Sequence, residues 1–271
     1  MAGGFKERLG IADITDKNGI WKCLLAEFIG TLLLNFFGCG SCVYAGNVPG
    51  AKSSQVLIAL TFGLVIMAIV QIVGHVSGAH VNPAVTAGML VTGNITILKG
   101  LLYIIAQCVG SITGSAILKA LTPPEKAGSL GLTNVAESVT PVQGFGVEFF
   151  LGFVLVLVVF GVCDVNKPES KGFAPLVIGL TIAMGHLAAV DYTGSSMNPA
   201  RTLGSAVIAN EWENHWVYWL GPILGGIAAA LLYKNAFAAP SADVNMEYSP
   251  VQVQDKELKR LDNRKDEDGM A

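Results

Sequence analysis

The sequence predicts an all-α membrane protein with six transmembrane helices and two re-entrant half-helices, arranged as an inverted repeat. Three observations carry that prediction. Hydrophobic residues make up 52% of the 271 residues and charged residues 14%, a balance too apolar for a water-exposed domain. Six apolar stretches are long enough to cross a hydrocarbon core. Two short stretches also repeat each other, Ser77-Gly-Ala-His-Val-Asn82-Pro83-Ala84-Val-Thr86 and Gly194-Ser-Ser-Met-Asn198-Pro199-Ala200-Arg201-Thr202, with their asparagines 116 residues apart.

Residues 1–20 read as a polar arm in which no cleavable signal peptide is visible, so the first span is expected to direct insertion itself. That span covers residues 23–44, enough to cross at about 1.5 Å per residue, and Glu27 is its one charge. A loop at 46–53 leads to an uncharged second span at 54–74. The first half-helix, about residues 82–91, is too short to span and must enter and leave on one side. A third span at 100–118 completes the first repeat, residues 21–120. Residues 121–142, with Pro123, Pro124 and Pro141, form an extracellular connector to the second repeat, 143–236. There the order recurs: a span at 147–163 with Glu148 near its start, a span at 173–190, a half-helix at 198–208 and a last span at 216–233. Residues 237–271 form a charged tail in which disorder is expected, with Tyr248 and Ser249 as possible sites of phosphorylation.

Each repeated motif is a helix start in sequence form. Proline at the first helical position has no N–H to leave unpaired, and asparagine before it is a favoured N-cap. A single Asn-Pro-Ala is only a capped helix or a turn; two copies, each opening a segment too short to span, carry the argument. If the half-helices meet head to head, both positive dipole ends and both asparagine amides face one point. A passage through that point hydrogen-bonds water oxygen and repels cations.

Most lysines and arginines fall on one side of the predicted spans, including Lys22, Lys99, Lys167, Lys171, Lys234 and those of both termini, against Lys52, Lys119 and Lys126 on the other. Both termini are therefore expected in the cytoplasm, and the halves run in opposite orientations. The sequon Asn94-Ile-Thr96 then lies on the cytoplasmic side, where it is not glycosylated. Glu27 and Glu148 hold matching places in the two repeats and read as structural acceptors for the backbone N–H groups of the re-entrant loops, with ion coupling the rival reading. His75 and His80 read as loop braces. Gly30, Gly38, Gly63, Gly110, Gly152, Gly161, Gly179, Gly221 and Gly225 read as helix-packing positions. Cys23, Cys39, Cys42, Cys108 and Cys163 show no metal spacing and read as packing. No phosphate loop, catalytic constellation, cofactor motif or nucleic-acid patch is present, so no enzyme activity, cofactor or metal is expected.

The paired motifs with Arg201 directly after the second resemble the aquaporins, the major intrinsic protein family, over about residues 21–234. That resemblance implies a passive water-selective channel driven by osmotic gradients, embedded in the bilayer of the plasma membrane as a homotetramer. It places Asn82, Pro83, Ala84, Asn198, Pro199 and Ala200 at the pore centre. It also places Phe62, twenty residues before Asn82, with His186, Ser195 and Arg201 in a filter excluding protons, ions and glycerol. The bulk of His186, and Thr202, Ala206, Tyr218 and Trp219, resemble the water-selective animal branch, insect-type channels among them. Many animal water channels carry Cys where Ser195 stands, so weak mercurial inhibition is expected. The alternatives are a broader glycerol or urea channel, a structural or junctional membrane protein, and an ion-coupled transporter using Glu27 and Glu148.

Overall fold

Burial in this chain is inverted relative to a water-soluble bundle. Leu64, Ile105, Phe150 and Leu180 are exposed on the outside, whereas Glu27, Asn35, Gln107, Glu148 and Arg201 are buried. A hydrocarbon solvent imposes that distribution, because polar groups there must find partners within the protein. The computed structural model describes residues 7–15, 19–47 and 54–240; every contact discussed lies within the unit Met1–Ala238. Lys6, Lys17, Lys52, Tyr248, Ser249 and the terminal charge run lie outside the described residues.

The described residues form helices α1 (Ile20–Gly46), α2 (Ser54–Ser77), α3 (Pro83–Thr92), α4 (Ile97–Leu121), α5 (Pro141–Val162), α6 (Ala174–Thr193), α7 (Pro199–Ala209) and α8 (Val217–Phe237), besides short helical turns in the N-terminal segment, Ile11–Thr15 among them, and in the connecting segments. Six of these are long and apolar enough to cross a membrane; α3 and α7, at 10 and 11 residues, are not. Within α1, Leu34–Cys39 is π-helical, and Tyr233–Phe237 ends α8 in the same way.

The helices run past the ends that hydrophobicity marks. The fourth span starts at Pro141 rather than residue 147, because Thr140 and Gln143 form a capping box with Pro141 at the first helical position. Proline here opens a helix instead of prolonging the connector. The last span reaches Phe237, one residue beyond the expected end of the second repeat.

Glycines set the closest crossings. A Cβ on Gly63 would lie 2.7 Å from the Gly179 carbonyl oxygen and one on Gly179 2.6 Å from that of Gly63, so α2 and α6 touch backbone to backbone. Gly110 brings α4 onto Phe28 of α1, and Gly225 brings α8 onto Phe149 of α5 at the matching place. Gly161 departs from the expected packing role: its nearest neighbour is a Tyr233 ring carbon at an ordinary 3.7 Å. Near the start of α4, Thr96 donates to Asp13 Oδ2 at 2.6 Å, which puts the sequon at the same end of the molecule as the N-terminal segment.

Candidate functional site: two half-helices and a buried polar group

The half-helices start as their sequences require. Asn82 Oδ1 accepts from the backbone N–H of Ala84 at 2.8 Å, and Asn198 Oδ1 accepts from those of Ala200 and Arg201 at 3.0 and 3.2 Å. Both asparagines are in extended conformation, with Pro83 and Pro199 following at the first helical position. Their amides cross: Asn82 Nδ2 donates to Met197 O at 2.9 Å and Asn198 Nδ2 to Val81 O at 2.8 Å. The two N-termini therefore meet head to head. Since an amide carries two N–H donors, each asparagine keeps one beyond the cross-link.

The approach to each half-helix is strained. Ala79, Val81, Ser195 and Met197 have φ of 48°, 41°, 50° and 57°, a region unfavourable to any Cβ and most of all to branched valine. A buried carboxylate holds each approach. Glu27 accepts from Ser77 Oγ at 2.6 Å, His80 N at 2.9 Å, Val81 N at 2.6 Å and Gln107 Nε2 at 2.7 Å. Glu148 accepts from Thr193 Oγ1 at 2.7 Å, Ser196 N at 2.8 Å and Met197 N at 2.9 Å. Tyr103 and Tyr218 complete the symmetry by donating to Ser77 O and Thr193 O at 2.8 and 2.9 Å. His80 braces the first loop through Thr86 Oγ1 at 3.1 Å. His75 does not brace: it is exposed and lines a cavity.

Toward the other end, Phe62, His186 and Arg201 come together. The Phe62 ring stacks on His186 with centroids 4.3 Å apart, and the Arg201 guanidinium carbon lies 5.0 Å from the Phe62 centroid. Arg201 Nη1 donates to Gly131 O in the connector at 2.7 Å. His186 Nδ1 lies 2.9 Å from Ile182 O, which makes it the protonated nitrogen and Nε2 the acceptor. Ser195 is fully buried beside the second motif. His186 Nε2, Ser195 Oγ and Arg201 Nε are all buried without a partner in the protein. On the other side of the asparagines opens a cavity of about 650 Å³, its wall including Asn82, Val81, His80, Ile178, Cys163 and Lys171.

Several residues in this arrangement carry no signal that motif reading uses. Asn35 and Gln107 are uncharged polar residues in apolar spans, which membrane burial alone could have marked. Gly131 lies in a connector with no pattern at all. Lys119 Nζ and Lys234 Nζ donate to Ile208 O at 3.2 Å and Thr92 O at 2.8 Å, at the negative ends of α7 and α3. Cys163, read as packing, is in the cavity wall.

Six spans and two opposed half-helices around a polar axis define an integral membrane protein of inverted-repeat design. The family model "Major intrinsic protein" matches residues 15–233, and the chain belongs to that family. It is 46% identical to Aquaporin-4 of Mus musculus over 218 residues, 80% of this chain and 68% of that protein. It is 43% identical to Aquaporin-1 of Homo sapiens over 248 residues, 90% of this chain and 88% of that one. Among solved structures, the aquaglyceroporin from Plasmodium falciparum shares the fold, with a TM-score of 0.74 at 24% identity, over 80% of this chain and 97% of that chain.

Proposed function

We propose that this chain is a passive water-selective channel. The observation that carries the reading is a set of buried polar atoms lacking protein partners, His186 Nε2, Ser195 Oγ and Arg201 Nε among them. Buried polar atoms without partners are costly, and a file of water supplies acceptors and donors to all three. Phe62, His186, Ser195 and Arg201 act as the filter, and the Arg201 charge opposes cations. Asn82 and Asn198 each offer a remaining N–H to a passing water oxygen. A water accepting from both cannot donate along the file, which interrupts proton transfer. The stacked ring pair Phe62–His186 narrows the passage against glycerol.

The relatives named Aquaporin-1 and Aquaporin-4 support this reading. In the same reading the channel is a homotetramer with one pore per chain, lies in the plasma membrane with both termini cytoplasmic, and performs no covalent chemistry. Residues 1–20 form the N-terminal arm, residues 21–120 and 143–236 the two repeats, residues 121–142 the outer connector and residues 237–271 the tail. Glu27 and Glu148 are structural, since their oxygens are taken up by loop donors.

Osmotic swelling of vesicles holding the purified chain, beside glycerol uptake and a proton-sensitive dye, tests the reading. Fast swelling without glycerol or proton entry is expected from the wild type, and solute leak from His186→Ala combined with Arg201→Val. Swelling no faster than empty vesicles, with folded protein inserted, would overturn it. Glycerol entry through the wild type would favour the broader channel.

A further inference from the structure

We propose that Asn35, presented by the π-helical stretch of α1 and seconded by Ser111 of α4, is the positioning residue that fixes the arginine-bearing half-helix α7 and so sets the channel's selectivity. The inference rests on the function proposed above and adds residues outside the pore lining.

Asn35 Nδ2 donates to the Arg201 carbonyl at 3.1 Å and to Ser115 Oγ at 2.9 Å, and Ser111 Oγ donates to the Ala200 carbonyl at 2.5 Å. All three side chains are fully buried. The first turn of α7, which carries Arg201, is thus gripped from behind by two side-chain donors as well as capped by Asn198. A Cβ on Gly204 would lie 2.5 Å from both Asn35 Nδ2 and Ser111 Oγ, so the half-helix sits directly on these groups. The matching residues under α3 are Val156, Gly226 and Ala230, packed around Gly88. They offer its carbonyls no side-chain donor. Among the described residues, side chains of the packed spans donate to first-turn carbonyls only under the half-helix that bears the arginine; α3 is met instead at its Thr86 hydroxyl, which accepts from Gln107 Nε2 at 3.0 Å.

The π-helical stretch Leu34–Cys39 makes two further contacts to the same group. A Cβ on Gly38 would lie 2.5 Å from Phe62 Cε1, and Cys39 packs against Gly131, whose carbonyl holds Arg201 Nη1. One irregular segment therefore backs Phe62, the Arg201 main chain and the carbonyl that fixes its guanidinium. The corresponding part of α5 is regular α-helix. Such a bulge turns side chains that a regular helix would direct elsewhere, a common use of π-turns. The axial setting and rotation of α7 fix the depth of the guanidinium, and charge at a constriction discriminates by position.

The test compares the full chain with Asn35→Leu, which keeps the shape and removes the donor, and with Ser111→Ala, in vesicles at equal amounts of folded protein. Water, glycerol and proton fluxes are measured together. The ratio of proton or glycerol flux to water flux should rise about threefold to tenfold in Asn35→Leu, the scale of one hydrogen bond, less in Ser111→Ala, and not at all in Val156→Ala on the other seat, which removes no hydrogen bond and pushes on nothing. A merely structural role changes the yield of folded protein and leaves the ratio fixed, which would overturn the proposal. So would an unchanged ratio in both variants when Arg201→Val leaks. Wild-type vesicles that fail to swell would remove the channel reading and this inference with it. If Asn35→Leu folds poorly, Ser111→Ala, which removes the other donor to α7, carries the test: a raised ratio supports the proposal and an unchanged one overturns it.

Discussion

The two halves of the molecule carry the same scaffold and different seats. Glu27 and Glu148, Tyr103 and Tyr218, and the crossed amides of Asn82 and Asn198 repeat almost bond for bond. Around that scaffold the halves diverge. Gln107 adds a donor to Glu27, whereas Pro222 stands at the matching place in α8 and offers Glu148 none. The α7 seat donates to first-turn carbonyls through Asn35 and Ser111, and the α3 seat, built on Val156, Gly226 and Ala230, does not. The lesson is that the symmetric parts solve a problem both halves share, satisfying irregular backbone inside a membrane. The asymmetric parts lie where only one half carries a charge.

The largest expected effect comes from the carboxylates, where the halves should agree. In Glu148→Gln the new NH₂ has an acceptor when it takes the place beside Thr193 Oγ1, which orphans the Ser196 N–H. In Glu27→Gln one backbone N–H is lost in the same way, and Gln107 Oε1, buried and unpartnered in the wild type, offers a second acceptor when its amide turns over. Each orphaned donor costs about 1–3 kcal/mol, and each variant orphans one. Thermal unfolding in detergent should therefore find the two variants destabilised alike. Glu148→Gln melting well below Glu27→Gln would mean that Gln107 gives relief, and adding Gln107→Leu would then abolish the advantage of Glu27→Gln.

The seats differ next. Alanine at Gly204 must displace the Ser111 carbonyl oxygen, 2.6 Å from the new Cβ, whereas alanine at Gly88 meets Val156 and Ala230 side-chain carbons at 3.0 and 3.2 Å. Overpacking costs about 1–3 kcal/mol, so Gly204→Ala should lie toward the upper end and Gly88→Ala toward the lower in the same unfolding assay. Gly204→Ala should also raise proton or glycerol leak relative to water more than Gly88→Ala does, since it lifts the arginine-bearing α7 off its seat.

How much of this was legible in the sequence follows from the same division. The repeated scaffold was readable, because duplication makes Asn82, Asn198, Glu27 and Glu148 visible against each other and six apolar stretches give the spans. The family follows from Arg201 directly after the second motif. The asymmetric parts were not. Asn35 has Val156 at its repeat position, so comparing the halves offers no pair, and nothing local announces that residues 34–39 form a π-turn. Gly131 reaches Arg201 across 70 residues, a contact with no local pattern. Apolar runs understate a helix where a cap, as at Thr140, extends it beyond them.

The smallest expected difference lies at the far ends of the half-helices, where a related lysine caps each. Lys234 donates to Thr92 O at 2.8 Å in a partly buried setting, and Lys119 to Ile208 O at 3.2 Å while exposed. A cation at a helix C-terminus stabilises by about 0.3–1 kcal/mol, and exposed charges sit at the low end of such ranges. Lys234→Met should lower the melting temperature slightly, an effect that shrinks as salt rises. Lys119→Met should be close to silent. Neither lysine touches the arginine or the crossed asparagines, so water flux and its ratio to proton flux should hold in both variants. A selectivity change in Lys119→Met alone would show that α7 is positioned from its C-terminal end as well as from its polar seat, and the symmetry of the two caps would then conceal a second functional difference.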